Sequence, residues 1–231
     1  MMHSPPQLKP EVRRATKVLI AAALDRFNRR HPWSHNDRHI RWVGARVAEI
    51  RAREVLDIGC WTGNLLSHLR FCVERTVGME PDRRSGQIAK ARFKSDPSVT
   101  ILDTRFAGRQ SHKWPAITAV AVLHHMPLEW ALRELRESLA PGGRLIIVGC
   151  YQDSTPVDAL VSVLSSLANP VIGLIKHPRP AKSVPDHMNA HAVEPRDTLA
   201  TIRTVARREL PTATIRRCLF WRYTLIYDHP G

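Results

Sequence analysis

Lysine is scarce in this chain, seven residues against 28 arginines, and the acidic side chains fall short of the basic ones by 14. A surplus of that size can mark an anionic or nucleic-acid partner. The arginines, however, are scattered as pairs (Arg13-Arg14, Arg29-Arg30, Arg83-Arg84, Arg207-Arg208, Arg216-Arg217) with no long basic block, which reads as a solvated surface. Cysteine is also sparse. Cys60, Cys72, Cys150 and Cys218 show no CxxC spacing, so a disulfide framework is excluded and reduced thiols in a reducing compartment are expected. No apolar run reaches about 18 residues without interruption, so no membrane span is expected. The nearest, Ala159 to Ile175, is broken at Asn169-Pro170. The apolar run Val18 to Leu24 is too short for a signal peptide and ends on Asp25-Arg26. Low-complexity Gly/Ser tracts are missing too, and with 43% hydrophobic residues over 231 positions the chain reads as one globular, cytoplasmic domain.

What is present centres on residues 54–82. Val55-Leu56-Asp57-Ile58 is a short apolar strand carrying a carboxylate near its end. A turn with Gly59 and Gly63 follows, then a helical stretch from Asn64 to Arg70, then a strand from Arg75 to Met79 ending on Glu80. Strand, glycine turn, helix, strand and terminal acid form the nucleotide-binding half of a doubly wound α/β sheet. Such folds place a ribose-gripping carboxylate about 20 residues past the turn, where Glu80 stands.

Around this stretch the periodicity predicts helices over Pro10 to Arg30, Asp37 to Arg51 with Ser34 as a cap, Arg84 to Phe93, Leu128 to Leu139 and Glu194 to Arg208. Strands are predicted over Val99 to Leu102, Ala116 to Leu123 (apolar on both faces, hence central) and Arg144 to Val148. Ala140-Pro141-Gly142-Gly143 is a stop signal between helix and strand. Val157 to Leu167 reads as a helix and Val171 to Lys176 as a separate piece after Pro170. The Pro/His-rich stretch from 178 to 191 reads as an active-site lid. Two terminal strands, Ala213 to Leu219 and Trp221 to Tyr227, are close enough to pair antiparallel. The chain thus divides into an N-terminal helical cap (1–52), a cofactor-binding core (53–150), a lid or substrate insertion (151–192), and a C-terminal helix and hairpin (193–231) completing the same sheet. Asp57, Glu80, Asp103 and His124-His125 all fall at the C-terminal ends of strands, and ligands bind in the crevice outside those ends. His31, His35 and His39 are spaced four apart, but Pro32 prevents one clean helix and no Cys or acid completes a ligand set, so no metal is expected.

The stretches Val55 to Gly63, Thr76 to Asp82, Leu123 to Met126 and Leu139 to Arg144 resemble the motifs of class I S-adenosylmethionine-dependent methyltransferases. Among these the chain is similar to a small bacterial type with an N-terminal Trp-x-His-Asn segment, here Trp33 to Asn36. The resemblance implies a Rossmann-like seven-stranded sheet, its last strand antiparallel and helices on both faces. It implies S-adenosyl-L-methionine as cofactor and S-adenosyl-L-homocysteine as product. Asp57, Gly59 and Gly63 would meet the methionine end, with Cys60, Trp61 and Pro81 beside the cofactor. Glu80 would hold the ribose hydroxyls, Asp103 would face the adenine, and Leu123 and His124 would line the sulfonium. Trp33, His35, Asn36, His125 and Tyr151 become the candidate acceptor-binding residues, and His125, then His124, the candidate general base near neutral pH.

The chain departs from the family pattern at three places. Trp61 stands where a glycine is usual, Trp114-Pro115 replaces an acid before the fourth strand, and His39 stands where tyrosine is frequent. A dinucleotide is disfavoured because the turn Gly59-Cys60-Trp61-Thr62-Gly63 lacks the middle glycine of G-x-G-x-x-G. The fourth strand ends in Leu123-His124-His125-Met126, without the Asn/Asp-Pro-Pro-aromatic signature of amino-methylating nucleic-acid enzymes. A small, partly apolar acceptor is therefore expected. A tRNA or rRNA methyltransferase, and a cofactor-binding protein without turnover, are the alternatives.

Overall fold

The computed structural model describes residues 22–183 and 193–231. A helical segment over residues 22–30 (α1) is followed by a 3-10 turn, Asp37–His39, and α2, Ile40–Glu49. The alternating core is β1 (Glu54–Ile58), α3 (Leu66–Leu69), β2 (Arg75–Met79), α4 (Arg83–Arg92), β3 (Val99–Leu102), β4 (Trp114–Val120), α5 (Leu128–Ser138) and β5 (Leu139–Cys150). Then come α6 (Pro156–Lys176), α7 (Leu199–Glu209), β6 (Thr214–Cys218) and β7 (Arg222–Asp228). The seven strands form one sheet in the order β3-β2-β1-β4-β5-β7-β6. The first five run parallel, and β7 inserts antiparallel between β5 and β6.

Helices cover both faces. Along β5, Leu145 and Ile147 point into a cluster with Leu132, Leu135, Ile202 and Ala206 of α5 and α7. The alternate residues Ile146 and Val148 join Val43 and Val47 of α2 and Leu69 of α3. That two-sided burial is why the central strands read as unbroken apolar runs rather than as alternation. The edge strands β3 and β6 have the most exposed burial patterns, as half-covered strands should.

Several boundaries differ from the sequence expectation. The helix expected over Pro10 to Arg30 is seen over 22–30 and otherwise lies outside the described residues, as does the lid stretch beyond 183. The second helix opens with the 3-10 turn, with Ser34 Oγ accepting from the Asp37 amide at 3.2 Å. The helix after the glycine turn is one short turn. The fourth strand stops at Val120 because Ala121 takes a left-handed φ of 53°, and Leu123–His125 then forms a 3-10 turn. Pro141-Gly142-Gly143 does not delay β5, which begins at Leu139. A register shift between Trp114 and Ala116 absorbs the kink. The helix expected from Glu194 starts at Leu199, capped by Thr198, whose side chain accepts from the Thr201 amide. Pro195 disfavours helical backbone at the residue before it.

The largest departure is α6, which runs 21 residues straight through Pro170. A proline inside a helix costs about 3 kcal/mol. Packing offsets it: Asn169 Oδ1 accepts from Trp33 Nε1 at 2.8 Å and pairs with His35 Nε2 at 2.9 Å. Gly173 lets the His31 backbone approach so closely that a Cβ there would sit 2.5 Å from its carbonyl oxygen. A capping box between Thr155 and Asp158 fixes the other end. Asn169-Pro170 therefore does not interrupt this helix, which is long and apolar enough, by length and composition, to cross a membrane.

Candidate functional site

A cavity of about 1250 Å³ opens beyond the C-terminal ends of β1, β2, β4 and β5. Small-molecule pockets commonly hold roughly 300–1,000 Å³, so this one has room for two ligands side by side. One end is walled by Asp57, Gly59, Cys60, Trp61, Glu80 and Pro81, and the other by His124, His125, Trp130, Tyr151, Trp221 and Arg222.

The turn at the first end is built by its own hydrogen bonds. The amides of Gly59 and Cys60 both donate to the Met79 carbonyl, and that of Gly63 donates to Cys60. The Trp61 amide donates to Glu80 Oε2 at 2.8 Å, and Asp82 N donates to Glu80 Oε1, also at 2.8 Å. None of the Gly59, Cys60, Trp61 and Gly63 amides is left to cradle a pyrophosphate. Glu80 is instead fixed with lone pairs remaining on both oxygens, a geometry able to accept from a vicinal diol. Burial raises its carboxyl, against the lowering effect of the two amides. Asp57 is fully enclosed and accepts from Thr118 Oγ1 at 2.7 Å. Burial pushes its carboxyl up to about 7, opposed by that hydroxyl and reinforced by Glu80.

Gly59 (φ 71°) and Trp61 (φ 50°) are both left-handed. A Cβ on Gly59 would lie 2.7 Å from Val122, which explains the glycine. Trp61 adopts the backbone of a glycine while carrying an indole, at a cost of about 1–2 kcal/mol. Ala121 and Trp221 line the same cavity and are left-handed as well. Strain of this kind concentrates at functional sites.

Among the described residues, three buried polar atoms on the cavity wall have no hydrogen-bond partner: Trp61 Nε1, His124 Nδ1 and Tyr151 Oη. Buried polar groups are normally paired, and these three are exceptions carried by residues of the cavity wall. The rings of His124 and His125 lie 4.2 Å apart. Burial, with help from His125 and Arg222, drives the His124 imidazole down to about 4, so it is neutral at neutral pH. Arg222 reaches in from the start of β7, its Nε and Nη2 both donating to Asn36 Oδ1 at 3.1 Å.

The structure therefore brings together Asp57, Gly59, Cys60, Trp61, Glu80, Pro81, Asn36, His124, His125 and Tyr151. It leaves five expected residues off the lining. Gly63 faces Phe93, whose ring would meet its Cβ at 2.5 Å. Asp103 is half exposed and paired with Lys90. Leu123 turns into the core with Leu132 and Leu135. Trp33 and His35 are consumed by Asn169 and by stacking around Phe220. His39 is buried and pushed down to about 4, first by burial and then by Arg38 and Arg222. Sequence reasoning missed Arg222, Trp221 and Trp130. No motif marks them, since the first two come from a hairpin turn distant in the chain.

The model of a methyltransferase domain family matches residues 56–145, the stretch carrying most of this site. An uncharacterized methyltransferase of Mycobacterium tuberculosis is 28% identical over 204 residues, 86% of this chain and 98% of that protein. Among solved structures, the plantazolicin methyltransferase BpumL, in complex with a monoazolic desmethylPZN analog and SAH, aligns with a TM-score of 0.59 at 12% identity over 94% of this chain and 91% of its own. Mitomycin 7-O-methyltransferase MmcR aligns at 0.52 and 15% identity, over 82% and 54% respectively. At these identities the two structures speak to the fold.

Proposed function

We propose that the chain is a class I S-adenosylmethionine-dependent methyltransferase, a reading supported by the methyltransferase-domain match over residues 56–145 and the methyltransferase relatives, and that it transfers the methyl group of S-adenosylmethionine to a small-molecule acceptor. The observation that carries this reading is the single cavity running from Glu80 and Trp61 to His125 and Tyr151. Its volume exceeds what one ligand needs. When bound, S-adenosylmethionine supplies a sulfonium methyl already activated for transfer. Glu80 would accept from ribose hydroxyls, Trp61 would wall the cofactor, and Asp57 would meet a cationic amino group.

Most of the protein's remaining task is orientation and exclusion of water. Tyr151 and the His124–His125 pair face the acceptor end. His125 is the exposed member at the mouth and can take a proton from a hydroxyl or ammonium acceptor. His124, neutral and half-buried, positions it through ring contact. Arg222 and Asn36 form a fixed polar pair on the same wall. The mixed apolar and polar lining suits a compact, partly apolar acceptor. The two solved relatives named above act, by their names, on plantazolicin and mitomycin, which is consistent with this class. The high charge does not favour RNA by itself. Many arginines are committed to carboxylates, among them Arg70 to Asp96, Arg75 to Glu54 and Arg144 to Asp228.

Calorimetry with S-adenosylmethionine and S-adenosylhomocysteine tests the first half: both should bind, and failure of both would remove the enzyme reading. Mass spectrometry after incubation with the cofactor and a host metabolite extract tests the second. A gain of one methylene on a small molecule is expected; methylated RNA instead would overturn the acceptor class.

A further inference from the structure

Helix α6 is two-faced in an unusual way. Its inner side is polar and joined to the body. Asp158 is buried against Arg217 at 2.9 Å, Ser162 accepts from Trp221 Nε1 at 2.7 Å, Ser165 accepts from the Phe220 amide at 2.8 Å, and Asn169 binds Trp33 and His35. Its outer side is apolar and open. Leu160 is 60% exposed, Leu167 66% and Ile175 73%, with Val157, Val163, Leu164, Val171 and Leu174 exposed around them. No charged residue stands between Asp158 and Lys176. A surface helix in water normally puts its polar residues outward and its apolar stripe inward. Here the arrangement is reversed over a helix about 30 Å long.

The end of this face is strongly basic. Lys176 ends α6, Arg179 and Lys182 follow it, and all three are exposed. The neighbouring α1 is tied there by Ala181 N donating to the Arg30 carbonyl at 2.7 Å, and by His31 Nδ1 contacting the His177 carbonyl at 2.6 Å. It adds the exposed side chains of Arg26 and Arg30. None of these five cations has a carboxylate partner among the described residues, whereas the arginines of the sheet body are widely paired. An open apolar stripe bordered by unpaired Lys and Arg is the pattern of a helix lying in a membrane interface.

We propose that the outer face of α6 and its basic C-terminal end dock the protein flat on an anionic phospholipid bilayer, with the exposed Leu, Val and Ile side chains entering the headgroup boundary. The charge decides the occupant. A second copy of this face would bring its own uncompensated cations and its own share of a +14 chain, whereas anionic headgroups neutralise them. The polar inner face rules against insertion across the bilayer, because Asp158, Ser162, Ser165 and Asn169 would have to leave partners they hold in the body.

The test is flotation of the full chain with phosphatidylcholine vesicles made with and without phosphatidylglycerol. Binding to the anionic vesicles is expected to exceed binding to the neutral ones by at least roughly tenfold, and to weaken as salt screens the charges. The triple variant Leu160→Gln/Leu164→Gln/Leu167→Gln, altered only at exposed positions, should lose about tenfold or more while keeping its melting temperature. Lys176→Glu/Arg179→Glu/Lys182→Glu should lose the preference for anionic vesicles. Absence of binding to either vesicle, equal binding to both, or binding untouched by the apolar triple variant would overturn the proposal. So would a dimer, seen by sedimentation, that the triple variant dissolves without any vesicle binding by the parent.

Discussion

Trp61 is the residue where backbone preference and site chemistry pull apart. Its left-handed φ of 50° suits glycine, yet its indole walls the cavity and its amide fixes Glu80. Trp61→Gly releases about 1–2 kcal/mol of backbone strain and gives up the packing of a half-buried indole. The melting temperature should move little, by the equivalent of about 1 kcal/mol either way, while calorimetry shows S-adenosylhomocysteine binding weakened several-fold. A large drop in melting temperature with unchanged affinity would mean the indole serves the core instead. His125 makes the complementary case at the acceptor end. His125→Ala should lower turnover by roughly a hundredfold, the lower end of what general base catalysis contributes, with cofactor affinity intact. Unchanged turnover in a steady-state assay would discard its role as base.

At the scale of elements, what the sequence made legible was set by period and by turn chemistry. The parallel core from Val55 to Val148 was readable because four of its five strands are short apolar runs leading to a polar residue, and the terminal hairpin because its two strands leave no room for a crossover. The continuity of α6 was not readable. Pro170 predicts a break from local rules, and it is offset by long-range packing, with the bonds from Trp33 and His35 to Asn169 and the close approach of Gly173 to His31. The same limit hid half the site. Asp57 and Glu80 sit at strand ends within one motif, but Arg222 and Trp221 arrive from a turn whose Phe220 and Trp221 are both left-handed, with φ of 61° and 57°. Hairpin turns of that conformation favour Asn and Gly, so nothing in Phe220-Trp221 announces one. The turn is held from α6: Ser165 takes the Phe220 amide and Ser162 the Trp221 indole. Ser165→Ala would leave a buried N–H unpaired and should destabilise by about 1–3 kcal/mol in denaturant unfolding. Because Trp221 and Arg222 line the cavity, turnover should fall beyond what the stability loss explains. A variant that unfolds earlier yet keeps full turnover would separate the turn from the site.

At the scale of the whole molecule the site contributes opposing pH dependences to stability. Asp57 holds its proton up to about 7 when folded, against an ordinary value of 3.8. Between those values the folded chain binds more protons than the unfolded one, so this group's contribution falls as pH rises and is lost above about 7, with a ceiling of roughly 4 kcal/mol. His39 and His124 behave oppositely. Their folded values of about 4 lie below the ordinary 6.5, so their contribution is lost as pH falls from 6.5 towards 4. The two slopes partly cancel in the cofactor-free protein and flatten its profile between those limits. Asp57→Asn keeps an acceptor for Thr118 and removes only the carboxyl titration. Its melting temperature should match the parent near pH 4, gain on it steadily up to about pH 7, and then run parallel above. The bound cofactor's ammonium favours the charged carboxylate, so S-adenosylmethionine affinity of the parent should rise over the same interval and that of Asp57→Asn should not. Parallel melting curves across the whole range would mean that Asp57 is already ionised in the empty site, and that its burial is relieved by something other than a proton.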